Sequence, residues 1–122
     1  MKKIPEKTFK YIFSKVPRLC VDIILTKDQS VLLSKRLIPP SKGSWHLPGG
    51  TVYKNEKLED AARRIAKQEI GLEVKVKENW GVVEYFGEST YGGHGVSTLF
   101  LVEFETVIIF FAFFAAFLII NL

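Results

Sequence analysis

The sequence predicts an α/β sandwich built on a mixed β-sheet. Three observations predict it. One amphipathic helical stretch, residues 58–70, sits near the middle of the 122-residue chain. Segments rich in Val, Ile, Leu and Phe, with the character of strands, lie both before and after it. These segments do not alternate regularly with helices, as an all-parallel sheet would require. The length fits one domain.

Taken in order, residues 5–16 read as a helix. Pro5 suits a first turn, Ile4, Phe9, Ile12, Phe13 and Val16 recur at helical spacing, and Pro17 stops the run. Residues 19–26 read as a buried strand with Asp22 as its odd member. A turn at 27–30 and a short strand at 31–35 complete a hairpin. Pro39, Pro40 and Gly43 mark a loop over 37–44. Residues 45–47 form a brief strand, ended by Pro48-Gly49-Gly50. Leu58, Ala61, Ala62, Ile65, Ala66 and Ile70 form one stripe of the central helix, and Gly71 stands where a C-cap glycine belongs. Strands follow at 72–77 and 79–86, then a glycine-rich loop over 87–95 and a strand at 97–104.

The net charge is +4, from 17 basic and 13 acidic side chains. The basic residues are scattered, without the clustered face of a nucleic-acid-binding module. The mild positive field suits an anionic small molecule such as a nucleotide. Cys20 is the only cysteine and sits between Leu19 and Val21, the setting of a buried structural thiol. A reducing cytoplasm is the expected location, and the N-terminus lacks the continuous apolar run of a signal peptide.

The last segment differs from the rest. No charge follows Glu105, and residues 107–120 are all apolar. The chain therefore divides into a domain over 1–105 and an apolar tail over 106–122. Three readings of the tail stay open: a truncated or frame-shifted end, a packed element with a strand over 107–114 followed by a helix, or contact with a membrane. A helix over the tail would span about 25 Å. A bilayer core is about 30 Å thick, and no Lys, Arg or Trp flanks the segment, so membrane contact is not favoured.

The residues that point to chemistry lie between Gly49 and Leu72. A glycine pair can turn tightly and present a bare carbonyl to a metal. Glu69, near the end of the helix, can project towards the same point. Oxygen ligands of this kind suit Mg²⁺ or Mn²⁺, completed by water and phosphate. Arg64 lies five residues before Glu69, about 140° around the helix, and so is placed to pin the loop carrying Glu56 instead.

Gly50, Glu56, Arg64, Ala66, Glu69, Gly71 and Leu72 match, at the right spacing, the signature of the Nudix hydrolase family, which this sequence resembles. Ile65 and Gln68 stand where that signature has Glu. The reduced signature is similar to that of the GDP-mannose mannosyl hydrolase branch, as are Leu33-Ser34-Lys35-Arg36, Pro40 and Gly43-Ser44-Trp45 ahead of Pro48-Gly49-Gly50. The resemblance implies a Nudix-like α/β/α sandwich and hydrolysis of a nucleoside diphosphate sugar at its anomeric carbon. The Gly49 carbonyl and Glu69 would hold Mg²⁺, Arg36 would contact the diphosphate, and Asp22 would meet the sugar hydroxyls. Arg36, Arg64 and Glu56 are accordingly the candidate catalytic residues. Two alternatives remain: a Nudix pyrophosphatase acting at phosphorus, and a catalytically impaired nucleotide-binding module. Thr51 stands where the branch often carries an Arg, which implies one cation fewer. The branch's general base, a His in a later loop, falls after residue 105, where this chain has no titratable side chain. His46 reads as structural or peripheral. His94, in the loop before residue 97, could reach a ligand, and Tyr85 and Tyr91 could stack on a base or sugar. The branch also implies a homodimer.

Overall fold

The computed structural model describes residues 4–27, 29–35, 43–87, 93–104 and 117–121. Its elements are α1 (Glu6–Phe13), β1 (Arg18–Lys27), β2 (Ser30–Lys35), β3 (Trp45–His46), β4 (Gly49–Thr51), α2 (Leu58–Ile70), β5 (Val74–Phe86), β6 (His94–Phe104) and β7 (Phe117–Asn121). The expected mixed sheet is present, and β1 is its hub. Residues Arg18 to Leu25 run parallel to β6. On the other edge of β1, Cys20, Val21 and Asp22 pair antiparallel with β4, and Thr26 and Lys27 pair with β2. β5 lies antiparallel to β6, while β3 and β7 both pair with β2.

Side chains alternate across β1, and this alternation separates core from site. Val21, Ile23 and Leu25 face α2 and join its stripe of Ala61, Ala62, Ile65, Ala66 and Ile70, with Val74, Phe100 and Val102 from the neighbouring strands. The alanines let the helix lie close to the sheet. Each fully buried large aliphatic side chain there contributes about 1.5–3 kcal/mol. Cys20, Asp22 and Ile24 point to the opposite face. The helix ends as its sequence predicts: Gly71 adopts φ 70°, and the N–H groups of Gly71 and Leu72 return to the carbonyls of Lys67 and Ala66.

Several elements differ from the sequence reading. The glycine pair is not a tight turn. It is extended as β4, and neither Gly49 nor Gly50 takes positive φ. The two strands expected over 72–86 are one strand, β5, with register shifts between Val76 and Glu78 and between Asn79 and Gly81. At the second shift Gly81 takes φ 109° and its N–H donates to Asn79 Oδ1 at 2.8 Å. β6 starts at His94 rather than Ser97, so His94 is a strand residue. α1 ends at Phe13 and buries none of its residues. Phe117–Asn121 is a strand on β2, not the helix considered for the end of the tail; residues 105–116 lie outside the described residues. Among the described residues, no helix is long and apolar enough to cross a membrane.

Candidate active site

The loop between β4 and α2 is held by Arg64. This side chain projects from the second turn of α2, and its Nε donates to Glu56 Oε2 at 2.8 Å while Nη2 donates to Glu56 Oε1 at 2.9 Å. Such a two-pronged contact fixes both direction and distance. Nη2 also donates to the Thr51 carbonyl at 2.8 Å, and Nη1 to Gln68 Oε1 at 2.9 Å. The guanidinium lies 3.8 Å from the Tyr53 ring centroid, and the Tyr53 N–H donates to Glu56 Oε1. Both charged side chains are largely covered, 20% exposed for Arg64 and 13% for Glu56. Hydrogen bonding from Arg64 holds the Glu56 carboxyl below its ordinary range, and Glu56 in turn raises Arg64. Arg64 and Glu56 are thus joined to each other and to the loop.

Gly49 lies directly across from Asp22 in the β1–β4 ladder. A Cβ at position 49 would fall on Asp22 Oδ1, so glycine is what lets the carboxylate occupy that space. The ladder also fixes the Gly49 carbonyl. Ile23 N–H donates to the Pro48 carbonyl and Val52 N–H to the Leu19 carbonyl. Hydrogen-bonded positions alternate along an antiparallel pair. The carbonyls of Gly49 and Thr51 therefore turn away from β1, on the edge where Arg64 holds Thr51.

Asp22 is a half-buried carboxylate with two hydroxyl partners. Ser97 Oγ donates to its Oδ2 at 2.7 Å and Tyr85 Oη at 3.2 Å. Burial pushes its carboxyl above the ordinary value, with the two hydroxyl bonds and the charges of His46 and Arg18 pulling the other way. Ser97 was missed in the sequence, where nothing sets it apart from the other polar residues of its strand. Arg18 Nη1 donates to Thr51 Oγ1 at 2.9 Å, so a cation stands beside the position where one had been expected to be missing.

The other candidates are placed as follows. Glu69 is exposed near the end of α2, one turn beyond Ile65, which is the side chain facing Gly50. His46 is exposed on β3, and its Nδ1 donates to the Leu47 carbonyl at 2.8 Å. His94 is not in a ligand-facing loop: it stacks on Phe86 at 4.4 Å between centroids and contacts Glu84 at 3.2 Å. Phe86 and Tyr85 are neighbours on one strand, so His94 and the Tyr85–Asp22 pair lie on opposite faces of the sheet. Arg36 and Tyr91 lie outside the described residues.

The donor set decides what metal fits. Ile65 is buried in the core and Gln68 is bound to Arg64, so neither gives a carboxylate. Among the described residues no group of three or more His, Cys, Asp or Glu gathers to hold an ion. Of the ligands expected from the sequence, the Gly49 carbonyl faces away from β1 and the Glu69 carboxylate is exposed. Such a sparse, hard set fits Mg²⁺ or Mn²⁺ that keeps water and substrate phosphate as its other ligands.

Comparison with known proteins agrees with the fold. The chain is 38% identical over 88 residues to the low-salt glycan biosynthesis protein Agl8 of Haloferax volcanii, covering 72% of this chain and 56% of that protein. It is 39% identical over 94 residues to an ADP-ribose pyrophosphatase of Methanocaldococcus jannaschii, covering 77% and 55%. The chain therefore spans little more than half the length of these curated relatives. A crystal structure of a NUDIX hydrolase from Nitrosomonas europaea matches 88% of this chain and 58% of its own, with a TM-score of 0.71 at 27% identity. The MutT protein of Methanosarcina mazei Go1 matches in fold, with a TM-score of 0.72 at 18% identity over 88% of this chain and 79% of its own. Residues 16–114 match the NUDIX domain as a family. With the Arg64-pinned loop, the outward Gly49 carbonyl and this match across most of its length, the chain belongs to the Nudix family.

Proposed function

We propose that this chain is a divalent-metal-dependent hydrolase of a nucleoside diphosphate derivative. Its proposed substrate is a nucleoside diphosphate sugar, with GDP-mannose the first to assay, cleaved to GDP and mannose by substitution at the anomeric carbon. One observation carries the reading: α2 offers Glu69 as its single carboxylate at the signature positions, because Ile65 is core and Gln68 is bound to Arg64. A site with several metals, able to orient water at phosphorus, needs more carboxylates than this. Neutralising a departing diphosphate needs only one ion.

Bound Mg²⁺ or Mn²⁺ would supply Lewis-acid stabilisation of the leaving group. The chain's own residues do the rest. Gly49 and Glu69 would hold the ion. Arg64 and Glu56 keep the β4–α2 loop, and with it the Gly49 carbonyl, in register with the helix. Asp22, fixed by Ser97 and Tyr85, offers acceptor capacity for sugar hydroxyls. Arg36 remains the residue proposed from the sequence for the diphosphate. The same resemblance carries the proposal of a homodimer, which sedimentation velocity checks.

A second reading has its own support. A relative 39% identical over 77% of this chain is named ADP-ribose pyrophosphatase. Hydrolysis in ¹⁸O-labelled water separates the two. Label in free mannose, with GDP as the other product, supports the first reading. Label in phosphate, with GMP and mannose 1-phosphate or AMP and ribose 5-phosphate as products, supports the second. Nucleotide binding without turnover rejects both in favour of a binding module.

A further inference from the structure

The arginines of the described residues are not alike. Arg63 is paired with Asp60, and Arg64 is paired with Glu56. The Arg18 side chain makes no ion pair among the described residues; its one hydrogen bond to them is from Nη1 to the Thr51 hydroxyl at 2.9 Å, in a partly buried setting. A guanidinium has five N–H donors in a planar fork, and the neutral Thr51 hydroxyl uses one. Arg18 and Asp22 are four residues apart on one strand, so both side chains leave β1 on the same face. Thr51 and Gly49 answer them from β4, opposite Cys20 and Asp22 respectively. The Arg18 charge is close enough to act on Asp22, yet no salt bridge joins them. Asp22 takes its hydrogen bonds from Ser97 and Tyr85 instead. The result is a cation propped by Thr51, with donors that no other described residue takes, beside the strand that presents the Gly49 carbonyl.

We infer that Arg18 is a phosphate-binding residue of this site, gripping the diphosphate of a nucleotide with the donors that Thr51 leaves free. The inference rests on the proposed nucleoside diphosphate chemistry and goes further by naming a side chain for the anion. A planar fork suits two phosphate oxygens at once. Thr51 acts as a positioning residue: its hydroxyl sets the direction of the fork and never meets the ligand. The site is then not short of a cation at position 51. The charge comes from β1 across the ladder.

The test is calorimetric titration with GDP and ADP, and with guanosine and adenosine as phosphate-free probes. The chains compared are the wild type, Arg18→Lys, Arg18→Gln and the double variant Arg18→Gln/Thr51→Arg. Arg18→Gln is expected to weaken the better diphosphate at least tenfold and leave its nucleoside unchanged. Arg18→Lys keeps the charge without the fork and is expected to fall between. Thr51→Arg, which returns a guanidinium from the facing strand, is expected to recover most of the loss. Equal diphosphate affinity in wild type and Arg18→Gln would overturn the inference. So would a loss shared equally by diphosphate and nucleoside, which is the mark of a merely structural role. In either case wild-type turnover stays intact, and the proposed function stands. A wild-type chain that binds neither diphosphate overturns both.

Discussion

The closest approach in the candidate site gives the sharpest test. Replacing Gly49 by Ala puts a methyl group on Asp22 Oδ1, and 2.9 Å from both Asp22 Cγ and the Val21 carbonyl oxygen. The Val21 oxygen belongs to the central strand and cannot retreat without opening the β1–β4 ladder. The carboxylate can swing away only by losing its bonds from Ser97 and Tyr85. Two hydrogen bonds to a charged group are together worth about 3 kcal/mol, and overpacking without such movement costs about 1–3 kcal/mol. Gly49→Ala is therefore expected to lose about 3 kcal/mol. Its neighbour is the control. A Cβ at Gly50 meets Ile65 Cγ1 at 3.5 Å and Cδ1 at 3.6 Å, which is ordinary contact. Gly50→Ala should stay within about 1 kcal/mol of wild type. Urea unfolding reads both: with a slope near 2 kcal/mol per molar, the first should move the midpoint down by about 1.5 M and the second by less than 0.5 M. Equal midpoints for the two variants would refute the steric reasoning, as would a Gly49→Ala protein that keeps wild-type stability.

Other expectations follow from the same geometry. Arg64→Lys removes the fork on Glu56 and the bonds to Thr51 and Gln68, and should cost about 2 kcal/mol in the same unfolding assay. Glu56 is held below its ordinary value of 4.5 by Arg64, so its contribution is present above that pH and is lost as acid protonates it in the folded state. Glu56→Gln should flatten the acid limb of stability against pH, and an unchanged limb would count against the pair. Asp22 is raised above 3.8 by burial, so its contribution has the opposite sign: full below that value, and lost as pH rises through the folded value. Asp22→Asn should remove that loss, read as a smaller fall in the unfolding midpoint between acid and neutral pH. Glu69→Gln should weaken Mn²⁺ binding, measured by paramagnetic relaxation, at least tenfold, whereas Glu56→Gln should change it less.

The parts legible in the sequence are those whose signal is local. α2 was bounded correctly because its alanine and isoleucine stripe ends at Gly71, whose positive φ only that residue meets cheaply. The Arg64–Glu56 loop followed from signature spacing. β4 was not legible as a strand, because Gly49 and Gly50 have no side chains to alternate, and its extended shape comes from β1. β5 read as two strands because an extra residue at each bulge breaks the period of two. His94 read as a loop residue because the glycines around it signal turns, whereas β5 and Phe86 draw it into the ladder. The Arg18–Thr51 contact is invisible to spacing altogether, since it exists only once β1 and β4 lie side by side.

The placement of Asp22 also has a consequence for the order in which the molecule is made. Asp22 and its hydroxyl donor Ser97 are 75 positions apart. Synthesis runs from the N-terminus, so β1, β4 and α2 are made before β6. Until β6 is in place Asp22 lacks its Ser97 donor, and the central strand has an open edge where β6 belongs. Long-range pairing of this kind is slow, since the loop must close before its contacts can form. The Arg64 contacts lie wholly within residues 51–68, so they need neither β5 nor β6. A nascent chain halted before residue 97 would carry the signature residues from Gly50 to Leu72 without the hydroxyl that fixes Asp22.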